Sequence, residues 1–270
     1  MGRIESAFAA MSPPARAWFR RAFDAPTNAQ LGAWEAIRTG ASTLVIAPTG
    51  SGKTLAAFFA ALDRLTTRGM QPPMGTSVLY ISPLKALAVD VERNLRAPLA
   101  GIRQEAQRLN LTPPEVSVGI RTGDTPADER RRQRRYPPDI LITTPESLFL
   151  LLTSAARETL QSVSTVIVDE IHAVAGSKRG THLAVSLERL DELLPAPAQR
   201  IGLSATVRPV SAVARFLGGA QPVTVVAEAS QKVLDIEVEV PVADLADIGA
   251  STGPIEGSTA AEAGHSSIWP

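Results

Sequence analysis

The sequence predicts a doubly wound α/β domain, a mostly parallel sheet with helices on both faces, and three observations predict it. Short apolar, β-branched runs recur along the chain, longer stretches with helical patterning separate them, and the most polar motifs sit just past the ends of the runs. Runs apolar at consecutive positions suit strands covered on both faces, and the stretches between them are long enough to carry the chain back across the sheet. In such sheets ligands gather outside the carboxyl ends of the strands.

The runs come in order as Thr43 to Ala47, Ser77 to Ser82, Val116 to Ile120, Asp139 to Thr143, Thr165 to Asp169 and Arg200 to Ser204. The first is followed by a glycine-rich turn and the helical LAAFFAALDRL, and the fifth closes on Asp169 with a second carboxylate, Glu170, next to it. From about Gln231 the pattern changes: VLDIEVEVPV alternates like an exposed strand, and Asp244 to Ser267 is poor in large apolar residues and rich in Gly, Ala, Ser and Thr. Residues 1–230 therefore read as one domain and 231–270 as a linker, with Ile268, Trp269 and Pro270 as the start of a further element.

A chain of 270 residues can bury one large core. Its 27 lysines and arginines balance its 27 aspartates and glutamates, so no whole-molecule field draws it to nucleic acid or membrane, and a charged partner must be held by a local patch. There is no cysteine, which excludes disulfides, thiolate metal sites and cysteine nucleophiles and fits an intracellular protein. The first residues lack the apolar core of a signal peptide, and no window approaches the roughly eighteen apolar residues of a membrane span, so the expectation is a soluble cytoplasmic protein with no membrane partner.

The segment Ala47-Pro48-Thr49-Gly50-Ser51-Gly52-Lys53-Thr54 joins a strand run to a helical run. Its glycines let successive backbone N–H groups point inward, and the following helix N-terminus adds partial positive charge, so Thr49, Gly50, Ser51 and Gly52 would form an anion hole for phosphates. Lys53 would reach the outer phosphates and the Thr54 hydroxyl would ligate Mg2+. The first position departs from the general pattern, with Ala47 where glycine is usual. Asp169 and Glu170 end the run TVIV, where a parallel strand presents them beside the phosphate loop; Asp169 would hold Mg2+ through water, and Glu170 would orient and deprotonate the attacking water. His172 is either a structural histidine or a link from the nucleotide site to a neighbour.

With Asp169-Glu170-Ile171-His172 and Ser204-Ala205-Thr206, the phosphate loop resembles motifs I, II and III of superfamily 2 DExH helicases. Pro83-Leu84-Lys85-Ala86-Leu87 resembles motif Ia, Thr122-Gly123-Asp124 motif Ic, and Thr144-Pro145-Glu146-Ser147 motif Ib. The wording DEIHAVAGSKRGTHLAVSLERL resembles the large helicase-related (Lhr) proteins more than the DEAD-box or RecQ-like branches. The resemblance implies a first RecA-like motor domain over 1–230 and the start of a second in 231–270. It also implies that Gln30, within Pro26-Thr27-Asn28-Ala29-Gln30, reads adenine with Thr27 beside it. Pro83, Lys85, Thr122, Gly123, Thr144 and Pro145 would grip a single strand of DNA or RNA by its backbone, and His172, Ser204 and Thr206 would couple hydrolysis to strand movement. Lhr-like proteins are single-stranded-DNA-dependent ATPases that move 3′ to 5′ and unwind duplexes, RNA:DNA hybrids included, with DNA repair as the implied setting.

Nothing after Thr206 resembles motifs IV to VI, so the arginines of a second domain are not among these residues. An arginine finger contributes about three to five orders of magnitude in rate, and the chain alone is expected to hydrolyse ATP poorly. Two alternatives stay open: a nucleotide or nucleic-acid binding module without turnover, and a duplex translocase that does not unwind. The basic run Glu129 to Arg135 is a solvated helix face or an added phosphate contact, and Lys178 and Arg179 touch nucleic acid or form a loop surface. Trp18, Phe19, Phe23 and Trp34 read as packing rather than base stacking, and His182 and His265 have no ligand-spaced partners.

Overall fold

The computed structural model describes residues 2–67, 75–112 and 115–227. The alternating run after Gln231 and the linker expected over 231–270 lie outside the described residues.

The chain enters through α1 (Arg3–Ala9), α2 (Pro13–Ala22) and α3 (Asn28–Arg38), then β1 (Ser42–Ile46) and α4 (Lys53–Thr67). There follow β2 (Val78–Ile81), α5 (Lys85–Arg108), β3 (Val118–Arg121), α6 (Ala127–Arg135), β4 (Ile140–Thr143) and α7 (Pro145–Leu152). A 3₁₀ turn (Ala155–Leu160) leads to β5 (Thr165–Val168), α8 (His172–Ala175), α9 (Lys178–Leu193), β6 (Gln199–Ser204), α10 (Val210–Gly218) and β7 (Val223–Ala227). Helix starts carry their own signals. The Ser12 hydroxyl accepts from Ala15 N–H, Thr144 from Ser147 N–H and Ser177 from Gly180 N–H, while Thr27 and Gln30 close a reciprocal capping box on α3.

The strands form one seven-stranded sheet in the order β3-β4-β2-β5-β6-β1-β7, with every pairing parallel. Successive strand residues face opposite sides. Val45, Tyr80, Ile142, Ile167 and Ile201 join Phe19, Trp34, Phe58, Phe59 and Ile102 in one core, against α1 to α5. Leu44, Leu79, Leu141, Val166 and Val168 join Leu148, Leu183, Leu187 and Leu217 in the other, against α7 to α10. The six expected runs are β1 to β6 with ends moved by a residue or two; β7 was not among them. Its Val-Thr-Val-Val carries a strand signal, but it lies at the sheet edge beside β1, and Val225 is left exposed.

One buried charge fastens β6 to the second layer. The Arg200 side chain is 3% exposed, and its guanidinium donates to Glu188 Oε1 (2.9 Å), Asp191 Oδ2 (2.7 Å) and the Leu217 carbonyl (3.0 Å), tying α9 and α10 to the start of β6.

Candidate functional site

Strand order decides which motifs meet. The carboxyl ends of β3, β4 and β2 carry Thr122-Gly123, Thr144-Pro145 and Pro83 with Lys85; those of β5, β6 and β1 carry Asp169 to His172, Ser204 to Thr206 and the phosphate loop. Motifs interleaved along the chain are thereby sorted into two halves of one sheet end. Hydrogen bonds continue past the strands and set their relative heights: Ala47 N–H to Ser204 O (3.2 Å), Ile171 N–H to Leu203 O (2.9 Å), Asp169 N–H to Ile81 O (2.9 Å) and Ser82 N–H to Thr143 O (2.9 Å).

In the phosphate loop, Gly50 (φ 81°) and Gly52 (φ 79°) take the left-handed backbone that lets the chain curl. A Cβ at Gly52 would collide with the Gln30 side-chain amide, whereas one at Gly50 would meet open space. Lys53 is buried, and its ammonium donates to the Ala47 carbonyl (2.6 Å) and the Pro48 carbonyl (2.9 Å). Burial pulls its pKa below the usual lysine value, and the charges of Glu170 and Asp169 oppose that shift. Ser51 Oγ is a buried hydroxyl with no hydrogen-bond partner, a donor fitted to an anion in the loop. Thr27 Oγ1 donates to the Ser51 carbonyl (2.9 Å), Gln30 Oε1 accepts from Thr27 N–H (2.9 Å), and Gln30 Nε2 faces the Gly52 carbonyl at 3.5 Å. Gln30 is thus seated beneath the phosphate loop, joining α3 to it. Thr49 is exposed at the loop's crest.

Asp169 is buried at the end of β5; its Oδ1 accepts from Glu170 N–H (2.9 Å) and its Oδ2 from the Tyr80 hydroxyl. Burial, and next the charge of Asp169, push the Tyr80 phenol far above its ordinary pKa, so it keeps the proton it donates. Glu170 has φ 42°, a conformation that costs a non-glycine residue about 1–3 kcal/mol and is held here by the Ile171 to Leu203 bond just beyond it. That bend turns the chain from β5 into α8 and sets Glu170 Oε2 3.3 Å from His172 Nδ1, which also lies 3.3 Å from Ser204 Oγ. His172 therefore touches both the carboxylate and the Ser-Ala-Thr segment, while Thr206 lies exposed beyond β6.

Thr54, Asp169 and Glu170 line one cleft of about 610 Å3 together with Phe23, Phe58, Leu87 and Asp90. Among the described residues no group of three or more His, Asp, Glu or Cys forms a metal cage by itself. The donor set of one hydroxyl and one carboxylate, open to a phosphate-bearing ligand, fits Mg2+, which keeps several waters and takes one or two carboxylates plus phosphate oxygens.

In the other half, Lys85 at the start of α5 is bridged to Asp124 (Nζ to Oδ1 2.8 Å), linking two of the candidate strand-gripping loops. Thr122 Oγ1 accepts from Asp124 N–H (3.3 Å), and Gly123 lies against Lys85. Thr144 is buried, its hydroxyl spent on the α7 cap; Pro145 follows it, and Pro83 is buried at the β2 exit. Of the basic run, Arg130 folds inward and donates to the Thr125 carbonyl (2.7 Å) and the Gly123 carbonyl (2.8 Å), Arg132 pairs with Glu129, and Arg131, Arg134 and Arg135 face solvent.

Arg179 is ion-paired with Glu146 in the first turn of α7, a clamp between α7 and α9. That guanidinium pulls the Glu146 carboxyl down to about 2. The folded value lies below the ordinary one, so the pair's contribution is complete above about pH 4.5 and is lost as the pH falls toward 2. The urea midpoint of Glu146→Gln should therefore lie below that of the unmodified chain at neutral pH, with the gap closing as the pH approaches 2; a gap constant with pH would contradict the clamp.

Trp18, Phe19 and Trp34 pack with Phe59 in the core, and Trp34 Nε1 donates to the Ala56 carbonyl (3.1 Å), while Phe23 stays 40% exposed at the cleft. His182 rests on Phe149 with ring centroids 4.6 Å apart, and His265 lies outside the described residues. Sequence reasoning missed Tyr80, Asp124 as the partner of Lys85, and Arg130 as the organiser of the Thr122-Gly123-Asp124 loop. For Tyr80 a signal existed: a lone hydroxyl inside the buried run VLYI has to find a polar partner.

Comparison with known proteins gives concordant findings. A family model described as DEAD/DEAH box helicase matches residues 27–213. The chain is 61% identical over 255 residues to the Lhr helicase/probable uracil glycosylase of Mycolicibacterium smegmatis, covering 94% of this chain and 16% of that protein. It is 57% identical over 266 residues to the Lhr helicase/uracil glycosylase of Escherichia coli, covering 96% of this chain and 17% of that protein. The solved structure of Mycobacterium smegmatis helicase Lhr bound to ssDNA and AMP-PNP superposes with a TM-score of 0.82 at 63% identity, over 89% of this chain and 30% of that one. This chain thus spans about a sixth of the length of those two curated relatives.

Proposed function

Because the chain belongs to the DEAD/DEAH box helicase family, we propose that it is the nucleotide-binding, RecA-like half of an ATP-driven single-strand motor like the Lhr helicases. The observation that carries the reading is the cleft shared by Thr54, Asp169 and Glu170, at the sheet end that also bears the candidate strand-gripping loops.

The phosphate loop and Lys53 bind the phosphates of ATP, which compete with the Ala47 and Pro48 carbonyls for the ammonium. Thr54 and Asp169 would hold Mg2+, which neutralises charge on the phosphates when bound. Glu170 accepts a proton from the attacking water at its carboxylate, and its 3.3 Å approach to His172, itself 3.3 Å from Ser204, gives a route by which the nucleotide site is felt at β6. Gln30 and Thr27 tie α3 to the loop, so adenine bound against α3 would act on the phosphate site through them.

Pro83, Lys85, Gly123 and Pro145, with the backbone N–H groups around Thr122 and Thr144, hold the sugar-phosphate backbone without reading bases, as a motor on any sequence requires. Single-stranded DNA as the track, 3′ to 5′ movement, action on RNA:DNA hybrids and cytoplasmic residence rest on the likeness to Lhr proteins. Among the described residues no helix is long and apolar enough to cross a membrane. Turnover needs a second RecA-like domain to supply arginines, so hydrolysis by these residues alone is slow.

The reading is tested by titrating the chain with a fluorescent ATP analogue in Mg2+. Lys53→Met removes a charge-assisted contact of about 1.5–3 kcal/mol and should weaken binding roughly 10- to 150-fold. Equal binding by both proteins, or none by the unmodified chain, would sink it.

A further inference from the structure

We propose that Tyr80 is a positioning residue for Asp169, holding the carboxylate in the orientation that a nucleotide-bound divalent cation requires; the proposal rests on the nucleotide-site reading above. Tyr80 lies in β2 near the middle of the sheet, with no exposed surface, among Val78, Leu79 and Ile81. A phenylalanine would fill the same space without burying a hydroxyl, and a buried hydroxyl lacking a partner costs about 1–3 kcal/mol. The parallel register pairs Tyr80 with Ile167 on β5, and Asp169 is two residues further along, on the same side of the sheet. The phenol spans that diagonal and meets Asp169 Oδ2, while Oδ1 is taken by the Glu170 N–H (2.9 Å). Each carboxylate oxygen thus has one fixed donor and keeps further lone pairs for a cation's water shell.

The ring is itself fixed. It stacks on Phe58 with centroids 4.9 Å apart and planes inclined by 22°, and Phe58 belongs to α4, the helix that starts at Lys53. The phosphate loop and the metal-binding carboxylate are therefore registered against each other through one aromatic pair as well as through the sheet. Groups that orient a metal ligand from behind typically contribute 10- to 100-fold in metal affinity.

The test is the Mg2+ dependence of nucleotide binding by the chain. A fluorescent ATP analogue is titrated in EDTA and at graded Mg2+ for the unmodified protein, Tyr80→Phe, Asp169→Asn and the double variant. Tyr80→Phe should raise the half-saturating Mg2+ about tenfold while leaving metal-free nucleotide binding unchanged, a separation that general loosening of the core would not produce. In the Asp169→Asn background Tyr80→Phe should add nothing, because its action passes through that carboxylate. The proposal is overturned if Tyr80→Phe leaves the Mg2+ requirement where it was, if it weakens metal-free and Mg2+-dependent binding alike, or if its effect persists in full beside Asp169→Asn. An unmodified chain that binds no nucleotide would remove the site reading itself, and this proposal with it, which tells the two failures apart.

Discussion

Glu170→Gln should abolish strand-stimulated ATP turnover while nucleotide still binds. General-base catalysis is worth about 10²–10⁴-fold, and glutamine keeps the shape and hydrogen-bonding reach of the side chain but cannot take up the water's proton. The backbone should tolerate the change, since the φ of 42° at position 170 is held by the Ile171 to Leu203 bond rather than by the carboxylate. Phosphate release would be measured with single-stranded DNA and the second RecA-like domain supplied, beside equilibrium binding of an ATP analogue. Turnover that survives the substitution would assign the base elsewhere. Loss of both turnover and binding would show that Glu170 holds the nucleotide instead, and an intact chain indifferent to the strand would favour a binding module or another kind of ATPase.

Arg200→Met should give the largest loss of stability. The arginine's bonds to Glu188, Asp191 and the Leu217 carbonyl converge on a guanidinium sealed under α9 and α10. Removing one member of a buried ionic cluster costs about 3–5 kcal/mol, chiefly because the remaining charge is stranded away from water. Here the cost should fall near the lower end, because the Glu188 side chain is 57% exposed and rehydrates, whereas Asp191 is only 14% exposed. In urea the unfolding free energy should drop by about 3 kcal/mol, and adding Glu188→Gln and Asp191→Asn to Arg200→Met should recover most of it. A loss below about 1 kcal/mol, the value of an exposed pair, would show that the cluster is not sealed.

Both variants probe features that differ in how far the sequence announced them. Asp169 and Glu170 could be singled out from the sequence because an acidic pair ending an apolar run, downstream of a glycine-rich turn of the phosphate-binding pattern, stands out locally. Arg200 was not, because nothing in QRIGLS distinguishes an arginine sealed beneath two helices from one at a strand mouth. The same division runs through the candidate strand-gripping half. Lys85 and Thr144 lie just past strand ends, as their place after apolar runs suggests, but only the folded chain pairs Lys85 with Asp124 and spends the Thr144 hydroxyl on a cap. Arg130 and Arg132 look alike in the run Glu129 to Arg135, yet helix phase turns one into the Thr122-Gly123-Asp124 loop and leaves the other on the surface.

The sequence by itself determined the α/β class, six of the seven described strands, the glycine-rich loop after β1 and the acidic motif after β5, because each is written in contiguous residues whose periodicity, glycine placement or charge acts over a few positions. Tertiary structure alone decided the strand order that separates the candidate nucleotide-binding motifs from the candidate strand-gripping ones, the edge strand Val223–Ala227, the Tyr80 to Asp169 bond and the Arg200 cluster. These join residues far apart in the chain, and their energies come from burial and hydrogen bonding that exist only once the two layers close on the sheet.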